Sequence, residues 1–315
     1  MALQKDSSLL ITGALGFVGS HLLEYLLDRG YTNIAVTDRQ DREVPDGVTL
    51  HVLDLTDSTA TKECFEKCSP EYIINLASVA TVGDSFEKAE MMLHSNTTLM
   101  LSVLEAMKQV SPKARLLQIS SAAVYGQVSK DLAAHQNELI PLNPINPYAV
   151  SKLTQELLTG AYQRSYGLDA VYVRPFNHIG EKQTTAFAVP SFAHQIIEIE
   201  RGNATHIEVG NLDAIRDFSD VKDIVRAYEL LLDRGETGEV YNVGSGEGHS
   251  IKEMLSLLIA ESTAKITVVE REDRMRPLDI PVSIADNEKI TALGWHPEYK
   301  IQDTVKRIVD WHRNQ

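Results

Sequence analysis

The chain has 315 residues, with 30 Lys and Arg against 44 Asp and Glu, so its formal net charge is −14. This acidity argues against nucleic acid or an anionic membrane surface as the main partner, because both attract basic patches. The hydrophobic share of 43% is ordinary for a globular protein. No apolar run approaches the roughly 18–20 residues of a membrane span, and the N-terminus lacks a signal-peptide pattern, so we expect a cytoplasmic protein.

Short apolar runs alternate with helical patterns along the first half of the chain. Strands are predicted at 9–11, 34–36, 50–53, 72–76, 116–119 and 171–173. Helical patterns between them include 20–29, 91–107 and 151–165. Alternation of this kind predicts a parallel sheet that is covered by helices on both faces.

The alternation ends after 174–175, where a polar segment, 177–189, resembles a binding loop. Further helices are predicted at 191–201, 251–262 and 302–313, with strands at 207–209 and 266–269. We therefore predict an α/β fold with a Rossmann-type doubly wound parallel sheet and a smaller mixed α/β C-terminal substrate domain. The dinucleotide-binding domain is expected to comprise 1–174, with 215–244 returning to it, and the substrate domain 175–214 and 245–315.

A glycine-rich turn follows the first predicted strand. Gly13, Gly16 and Gly19 have the spacing Gly-x-x-Gly-x-x-Gly and open the first helix, with Phe17 and Val18 between the last two. Such a turn lets the backbone approach a pyrophosphate at the positive end of the helix. A tight turn without a ligand is the alternative, but the strand–turn–helix context favours a dinucleotide site.

The second strand ends at Asp38, nineteen residues after Gly19. A carboxylate there can accept hydrogen bonds from both ribose hydroxyls and repel a 2′-phosphate, which favours NAD(H). Arg39 is suited to a 2′-phosphate, so NADP(H) stays open. Further cofactor contacts are expected near the ends of later strands, at Asp54, Leu55, Leu76, Ala77, Ser78 and Pro175.

Three residues in the middle of the chain suggest proton-transfer chemistry. Tyr148 and Lys152 are four apart, on one face of a predicted helix. We expect the ammonium to lower the pKa of the phenol, which is about 10 when unperturbed, so that the phenol exchanges a proton near neutral pH. Ser121 follows the fifth strand and can hold a carbonyl or alkoxide oxygen. The alternative is that Tyr148 and Lys152 form a pair on the surface of the protein and that Ser121 lies in an ordinary turn at the end of a strand.

Together these motifs resemble the extended short-chain dehydrogenases/reductases, of the NAD-dependent epimerase/dehydratase family, that act on nucleotide-sugars. The matching residues are Thr12 to Gly19, Asp54-Leu55, Asn75-Leu76-Ala77, Ser121, Tyr148-x-x-x-Lys152 and Arg174-Pro175-Phe176-Asn177. The resemblance implies that Ser121, Tyr148 and Lys152 form a catalytic triad, with Tyr148 and Lys152 also on the cofactor and Asn177 on the substrate. It further implies a homodimer formed through the helices at 91–107 and 151–165.

A closer resemblance is to the GDP-4-keto-6-deoxymannose reductases, which are related to GDP-mannose 4,6-dehydratases. It is carried by 174–180, 209–212, 216–221 and 276–281. It implies that Arg216 and Arg276 hold the diphosphate and its ribose and that Asp279 lies at the ribose or guanine. The alternative for both arginines is an exposed salt bridge. Ser85 is a further candidate contact to the sugar.

The residue at position 123 separates the possible reactions. In the related dehydratases a carboxylate two residues after the catalytic Ser or Thr removes a proton, but this chain has Ala123, which transfers none. We therefore expect reduction of a GDP-4-keto-6-deoxyhexose by NAD(P)H to a GDP-6-deoxyhexose such as GDP-rhamnose. A 4-epimerase with tightly held NAD is the main alternative. A dehydratase using another acid, such as Asp84, and a non-catalytic cofactor-sensing protein are less favoured.

The two cysteines, Cys64 and Cys68, lie four apart in a helical pattern. We expect them to be reduced and structural. A metal site needs further ligands, none of which is evident near them in the sequence, so no metal is predicted.

Overall fold

The structure is a computed structural model that describes residues 2–80, 85–274 and 280–315, with the backbone alone for Lys130 and Asp131. The strands are β1 Leu9–Thr12, β2 Ile34–Asp38, β3 Val48–Val52, β4 Tyr72–Asn75, β5 Arg115–Ile119, β6 Asp169–Pro175, β7 Asn177–Ile179, β8 Ile207–Val209, β9 Ile215–Asp220, β10 Val240–Val243, β11 Gly248–Ser250, β12 Val268–Glu270 and β13 Val282–Ser283. The helices are α1 Phe17–Asp28, α2 Ser58–Cys68, α3 Ala89–Val110, α4 Lys130–Ala133, α5 Pro147–Tyr166, α6 Ala188–Glu200, α7 Val221–Arg234, α8 Ile251–Ala260, α9 Glu288–Thr291 and α10 Ile301–Arg313.

Seven parallel strands form the main sheet, in the order β10-β6-β5-β4-β1-β2-β3. Strand order reverses between β1 and β4, and in such sheets ligands bind at the carboxyl ends of the strands beside this switch point. The predicted doubly wound parallel sheet is confirmed.

The two faces of the sheet carry separate cores because side chains alternate along each strand. Leu9 and Ile11 of β1 face a cluster that includes α1 and α7. Leu10 faces the opposite cluster, which includes α2 and α3. The central strands are therefore buried on both sides, which explains the apolar runs of β1 and β4.

A smaller region follows β6. Here β9 pairs with β7, β11 and β13, while β8 pairs with β12. A third core lies among α6, α8 and α10. The chain returns to the main sheet at α7 and β10, whereas β9 belongs to the small sheet. The domain boundaries given above stay a prediction.

Helices α1 and α5 begin earlier than the sequence pattern predicts, and both beginnings position the site. Helix α1 begins at Phe17, directly after Gly16. Helix α5 begins at Pro147 because the Asn146 side chain accepts a hydrogen bond from the Ala149 backbone N–H, at 2.9 Å. The predicted loop at 177–189 likewise begins with a strand, β7. Within the described ranges, no helix has the length and apolar character that a membrane span needs.

Candidate active site

A cavity of about 1240 Å³ lies over the carboxyl ends of the main-sheet strands and extends to the smaller region. Most of the predicted site residues line it: Gly13, Gly16, Phe17, Val18, Gly19, Asp38, Arg39, Asp54, Leu55, Leu76, Ala77, Ser78, Ser121, Tyr148, Lys152, Pro175, Asn177 and Arg216. Ser85 is buried and is not among the lining residues. Asp84, Arg276 and Asp279 lie outside the described residues.

The glycine turn is set by close backbone packing. Gly13 has a φ of +67°, and a Cβ there would lie 2.9 Å from the Ala77 backbone nitrogen. A Cβ on Gly19 would lie 2.4 Å from the carbonyl oxygen of Gly13. Helix α1 then begins at Phe17, and its N-cap residue, Gly16, provides no side-chain cap. Its first N–H groups are thus free to bind an anion at the cavity wall, which fits the pyrophosphate of a dinucleotide.

Two carboxylates lie at the end of the cavity formed by β2 and β3. Asp38 ends β2, and its Oδ1 accepts a hydrogen bond from the Gln40 backbone N–H at 2.9 Å. Asp54 accepts hydrogen bonds from the N–H and the hydroxyl of Thr56, which hold its pKa below the ordinary value. Asp54 therefore organises the loop after β3. Arg42 also lines this end, although the sequence offered no motif for it.

The predicted triad is brought together at the centre of the cavity. Ser121 precedes a short 3-10 turn at Ala122–Tyr125, and its hydroxyl accepts a hydrogen bond from the Ala123 N–H at 3.1 Å. The Ser121 side chain also lies near the Tyr148 hydroxyl. Lys152, one helical turn after Tyr148, is buried and donates to the Ile119 carbonyl at 3.0 Å.

Burial dominates the proton affinities of this group. It lowers the pKa of Lys152 from 10.5 to about 8, partly opposed by the carboxylate of Glu156. Burial raises the pKa of Tyr148, partly opposed by the nearby Ser121 hydroxyl. The expectation of a lowered tyrosine pKa is therefore wrong, because desolvation of the phenolate dominates. Tyr148 is held protonated, in the form that donates a proton.

A buried ion pair between Arg174 and Glu156 lies near the triad, where the Glu156 carboxylate acts on Lys152. Arg174 makes two hydrogen bonds to Glu156, at 3.1 and 2.8 Å, and both side chains are less than a tenth exposed. Arg174 also donates to the Tyr125 hydroxyl at 3.2 Å, which in turn donates to Asn242 at 2.7 Å. Arg174 is thus a structural residue of its motif. Glu156 was not identified from the sequence because its partner lies on another element.

The opposite end of the cavity contains the predicted substrate residues that the structure describes. Asn177 is exposed at the start of β7, and Arg216 lies on β9, where it donates to the Ile215 carbonyl at 2.8 Å. Arg274 also lines this end and pairs with Glu208 at 2.7 Å. This acidic protein therefore carries a local group of arginines where a phosphate-bearing ligand would bind.

Three further lining residues are His178, which follows the predicted Asn177, and Tyr228 and Ser120, for which the sequence gave no signal. The His178 ring stacks on Phe17 with centroids 6.0 Å apart, and burial lowers its pKa. Tyr228 of α7 is buried at the cavity wall, and both burial and the nearby Tyr148 raise its pKa. The buried hydroxyl of Ser120 has no hydrogen-bond partner within the part of the chain that the structure describes.

Comparison with known proteins agrees with this architecture. A family model described as GDP-mannose 4,6 dehydratase matches residues 10–308. A Pseudomonas aeruginosa protein named GDP-6-deoxy-D-mannose reductase is 36% identical over 306 residues, which cover 96% of each chain.

Solved structures of similar proteins superimpose on nearly the whole chain. RMD of Pseudomonas aeruginosa complexed with NADPH superimposes with a TM-score of 0.85 at 32% identity, covering 98% of this chain and 99% of that one. UDP-glucose 4-epimerase of Thermus thermophilus in complex with NAD superimposes with a TM-score of 0.87 at 31% identity, covering 97% of this chain and 99% of that one.

Proposed function

Because the chain belongs to the GDP-mannose 4,6-dehydratase family, we propose that it reduces the 4-keto group of a GDP-4-keto-6-deoxyhexose with NAD(P)H. The product is a GDP-6-deoxyhexose such as GDP-rhamnose. The observation that carries this proposal is that Ser121, Tyr148 and Lys152 line one cavity in which position 123 holds an alanine. The full-length similarity to a GDP-6-deoxy-D-mannose reductase supports it.

Each member of the triad has a distinct task in this reaction. Ser121 donates a hydrogen bond to the ketone oxygen, in addition to the bond it accepts from Ala123. Tyr148, protonated because it is desolvated, gives its proton to the oxygen as negative charge develops there. Lys152 stabilises the phenolate that remains. When bound, the reduced nicotinamide supplies the hydride for carbon 4.

The lining of the cavity disfavours a dehydratase. Elimination across carbons 5 and 6 requires a carboxylate beside the catalytic hydroxyl, and Ala123 occupies that position. Among the described lining residues the carboxylates are Asp38, Asp54 and Glu208. The first two lie at the β2–β3 end, and Glu208 is paired with Arg274. A reductase requires no such acid.

The test follows cofactor absorbance during incubation with GDP-4-keto-6-deoxymannose. One reduced cofactor is expected to be oxidised for each keto-sugar consumed. Tyr148→Phe is expected to lower kcat by about 10²–10⁴-fold, whereas Tyr166→Phe, at an exposed position on the same helix, is expected to leave kcat unchanged. Wild-type protein that oxidises neither NADH nor NADPH would refute the proposal.

A nucleotide-sugar 4-epimerase is the second candidate, favoured by the TM-score of 0.87 to a UDP-glucose 4-epimerase. An epimerase regenerates its cofactor in each turnover. It would interconvert UDP-glucose and UDP-galactose with no net change in absorbance and would be purified with NAD bound. Epimerisation without oxidation of added NADH or NADPH would favour this function over reduction.

The cofactor contacts are proposed from the shape of the cavity. The N-terminus of α1 and the glycine turn fit the pyrophosphate, Asp38 the adenosine ribose, and Tyr148 with Lys152 the nicotinamide ribose. Asp38 favours NADH and Arg39 offers a contact to the 2′-phosphate of NADPH. Asp38→Ser is expected to raise the ratio of kcat/KM for NADPH over NADH at least ~10-fold, and Arg39→Ala to lower it. Unchanged ratios in both variants would reject this assignment.

The substrate contacts are proposed at the other end of the cavity. Asn177 is assigned to the sugar and Arg216 to the diphosphate, with Arg276, Asp279 and Ser85 as the further candidates predicted from the sequence. Selective thermal stabilisation by GDP and GDP-sugars, over UDP, dTDP and CDP compounds, is expected. Arg216→Met should weaken GDP binding while NADPH binding is retained. Selective stabilisation by UDP compounds would overturn the assignment of guanine.

We also propose a homodimer formed through α3 and α5. Val150 and Leu157, seven residues apart on one face of α5, are 39% and 63% exposed, and Met91 of α3 is 46% exposed. Leu157→Lys is expected to shift the mass in solution from dimer to monomer, as measured by sedimentation. A wild-type protein that is monomeric at micromolar concentration would refute this. The cytoplasmic location stays a prediction of the sequence.

A further inference from the structure

A second cluster of reactive side chains lies outside the cavity, between β3 and α2. His51 is on β3, and Cys64 and Cys68 are one turn apart on α2. One ring nitrogen and the two sulfurs lie within 4.8 Å of one another. The expectation that no further ligand lies near the cysteines is therefore wrong. Strand β3, at the edge of the main sheet, places His51 beside the helix that follows it.

We propose that His51, Cys64 and Cys68 bind one Zn²⁺ ion. Thiolate and imidazole are the ligands that zinc prefers, with Zn–S near 2.3 Å and Zn–N near 2.0–2.1 Å. In a tetrahedral site such ligand atoms lie about 3.4–3.8 Å apart. The three donors therefore need to close by about 1.4 Å at most, which side-chain rotations provide. Water would occupy the fourth position.

Burial and charge suit this ion. Cys64 is 4% exposed, whereas His51 and Cys68 are only partly buried, so the ion has a path from solvent to the buried sulfur. Two thiolates neutralise the charge of Zn²⁺. Within the described ranges no hydrogen bond to the His51 imidazole is found, which leaves its nitrogen lone pair available to a metal.

The helix geometry argues against a disulfide at the same place. Residues four apart in an α-helix have Cβ atoms about 5–6 Å apart, whereas a disulfide requires about 3.5–4.5 Å. Oxidation of Cys64 and Cys68 would therefore unwind the last turn of α2. A bridging ion spans the gap with the helix intact.

The proposed zinc would join two elements beside the cavity. Strand β3 continues into Leu53, Asp54 and Leu55, which line the cavity, and the chain then enters α2. An ion between β3 and the C-terminal half of α2 therefore ties the strand before this loop to the helix after it. We expect zinc to raise the melting temperature of the protein in the absence of any nucleotide, so the test does not depend on the proposed enzymatic function.

The test uses full-length protein that is treated with chelator, reduced and titrated with Zn²⁺ or Co²⁺. Cys64 and Cys68 are the two cysteines of the whole chain, so thiolate-to-cobalt charge-transfer absorption reports on this pair alone. One ion per chain is expected, with a rise in Tm of about 3–5 °C at a hundred times the Kd. Cys68→Ser and His51→Gln should each weaken binding at least ~10-fold. His296→Gln, at an exposed position far along the chain, is the matched control and should bind as wild type does.

Three results would overturn the proposal. These are a wild-type protein with no charge-transfer absorption and no Tm shift, a His51→Gln variant that binds zinc as tightly as wild type, and an intramolecular disulfide that forms without loss of α2 helicity. Circular dichroism and metal-free melting establish that each variant is folded. His51 and Cys68 are chosen for substitution because they are less buried than Cys64.

Discussion

The buried ammonium of Lys152 makes a prediction about how stability changes with pH. Lys152 is 4% exposed, and burial lowers its pKa from 10.5 to about 8. Between these values the unfolded chain binds more protons than the folded chain, so the free energy of unfolding rises as pH increases. Below pH 8 both states are mostly protonated, and the folded protein bears the full cost of the buried charge. Replacement of Lys152 by methionine removes this cost.

The free-energy cost of the buried Lys152 charge follows from the size of its pKa shift. One pKa unit corresponds to about 1.4 kcal/mol, so the buried charge costs about 3 kcal/mol at pH 7 and about 1 kcal/mol at pH 10. Lys152→Met also removes the donor to the Ile119 carbonyl, which changes the free energy of unfolding by an amount independent of pH. The expected signature is therefore a difference between variant and wild type that shrinks by about 2–3 kcal/mol from pH 7 to pH 10.

Urea denaturation at several pH values measures this difference directly. Titrations elsewhere in the chain are shared by both proteins and cancel in the comparison. Lys113→Met, at an exposed loop position, is the matched control and should follow wild type at every pH. If the curves of Lys152→Met and wild type run parallel from pH 7 to pH 10, the inference that burial lowers this pKa is refuted. The variant should also lose reductase activity, so stability and activity change in opposite directions at neutral pH.

Three further substitutions test the site. Gly19→Ala places a methyl group 2.4 Å from a backbone carbonyl oxygen, so NADPH affinity should fall at least ~10-fold and stability by about 1–3 kcal/mol; unchanged binding by calorimetry would contradict this. Ser121→Ala should lower kcat by about 10²–10³-fold. The neighbouring Ser120→Ala removes a buried hydroxyl that has no hydrogen-bond partner among the described residues, so it should leave kcat unchanged and stability unchanged or higher. Glu156→Gln leaves the buried charge of Arg174 uncompensated, so urea denaturation should show a loss of about 3–5 kcal/mol; a loss below ~1 kcal/mol would show that the pair is dispensable.

Much of the fold could be predicted because its signals are local. Alternation of apolar runs with helical patterns indicated the parallel sheet, and the glycine spacing indicated the turn that begins α1. The four-residue spacing of Tyr148 and Lys152 indicated that they share a helix face. Each of these patterns involves residues within a few positions of one another, where helix and strand geometry fixes the relation between side chains.

The tertiary structure decided what depends on contact between distant segments. Glu156 meets Arg174 across elements, and His51 lies beside Cys64 and Cys68 because an edge strand packs near a helix. Desolvation raises the pKa of Tyr148, opposite to the expectation from its spacing to Lys152, and it also lowers the pKa of Lys152. Sequence spacing fixes which groups are neighbours along one element, but solvent exclusion is a property of everything packed around them, and it sets the proton affinities on which the chemistry depends.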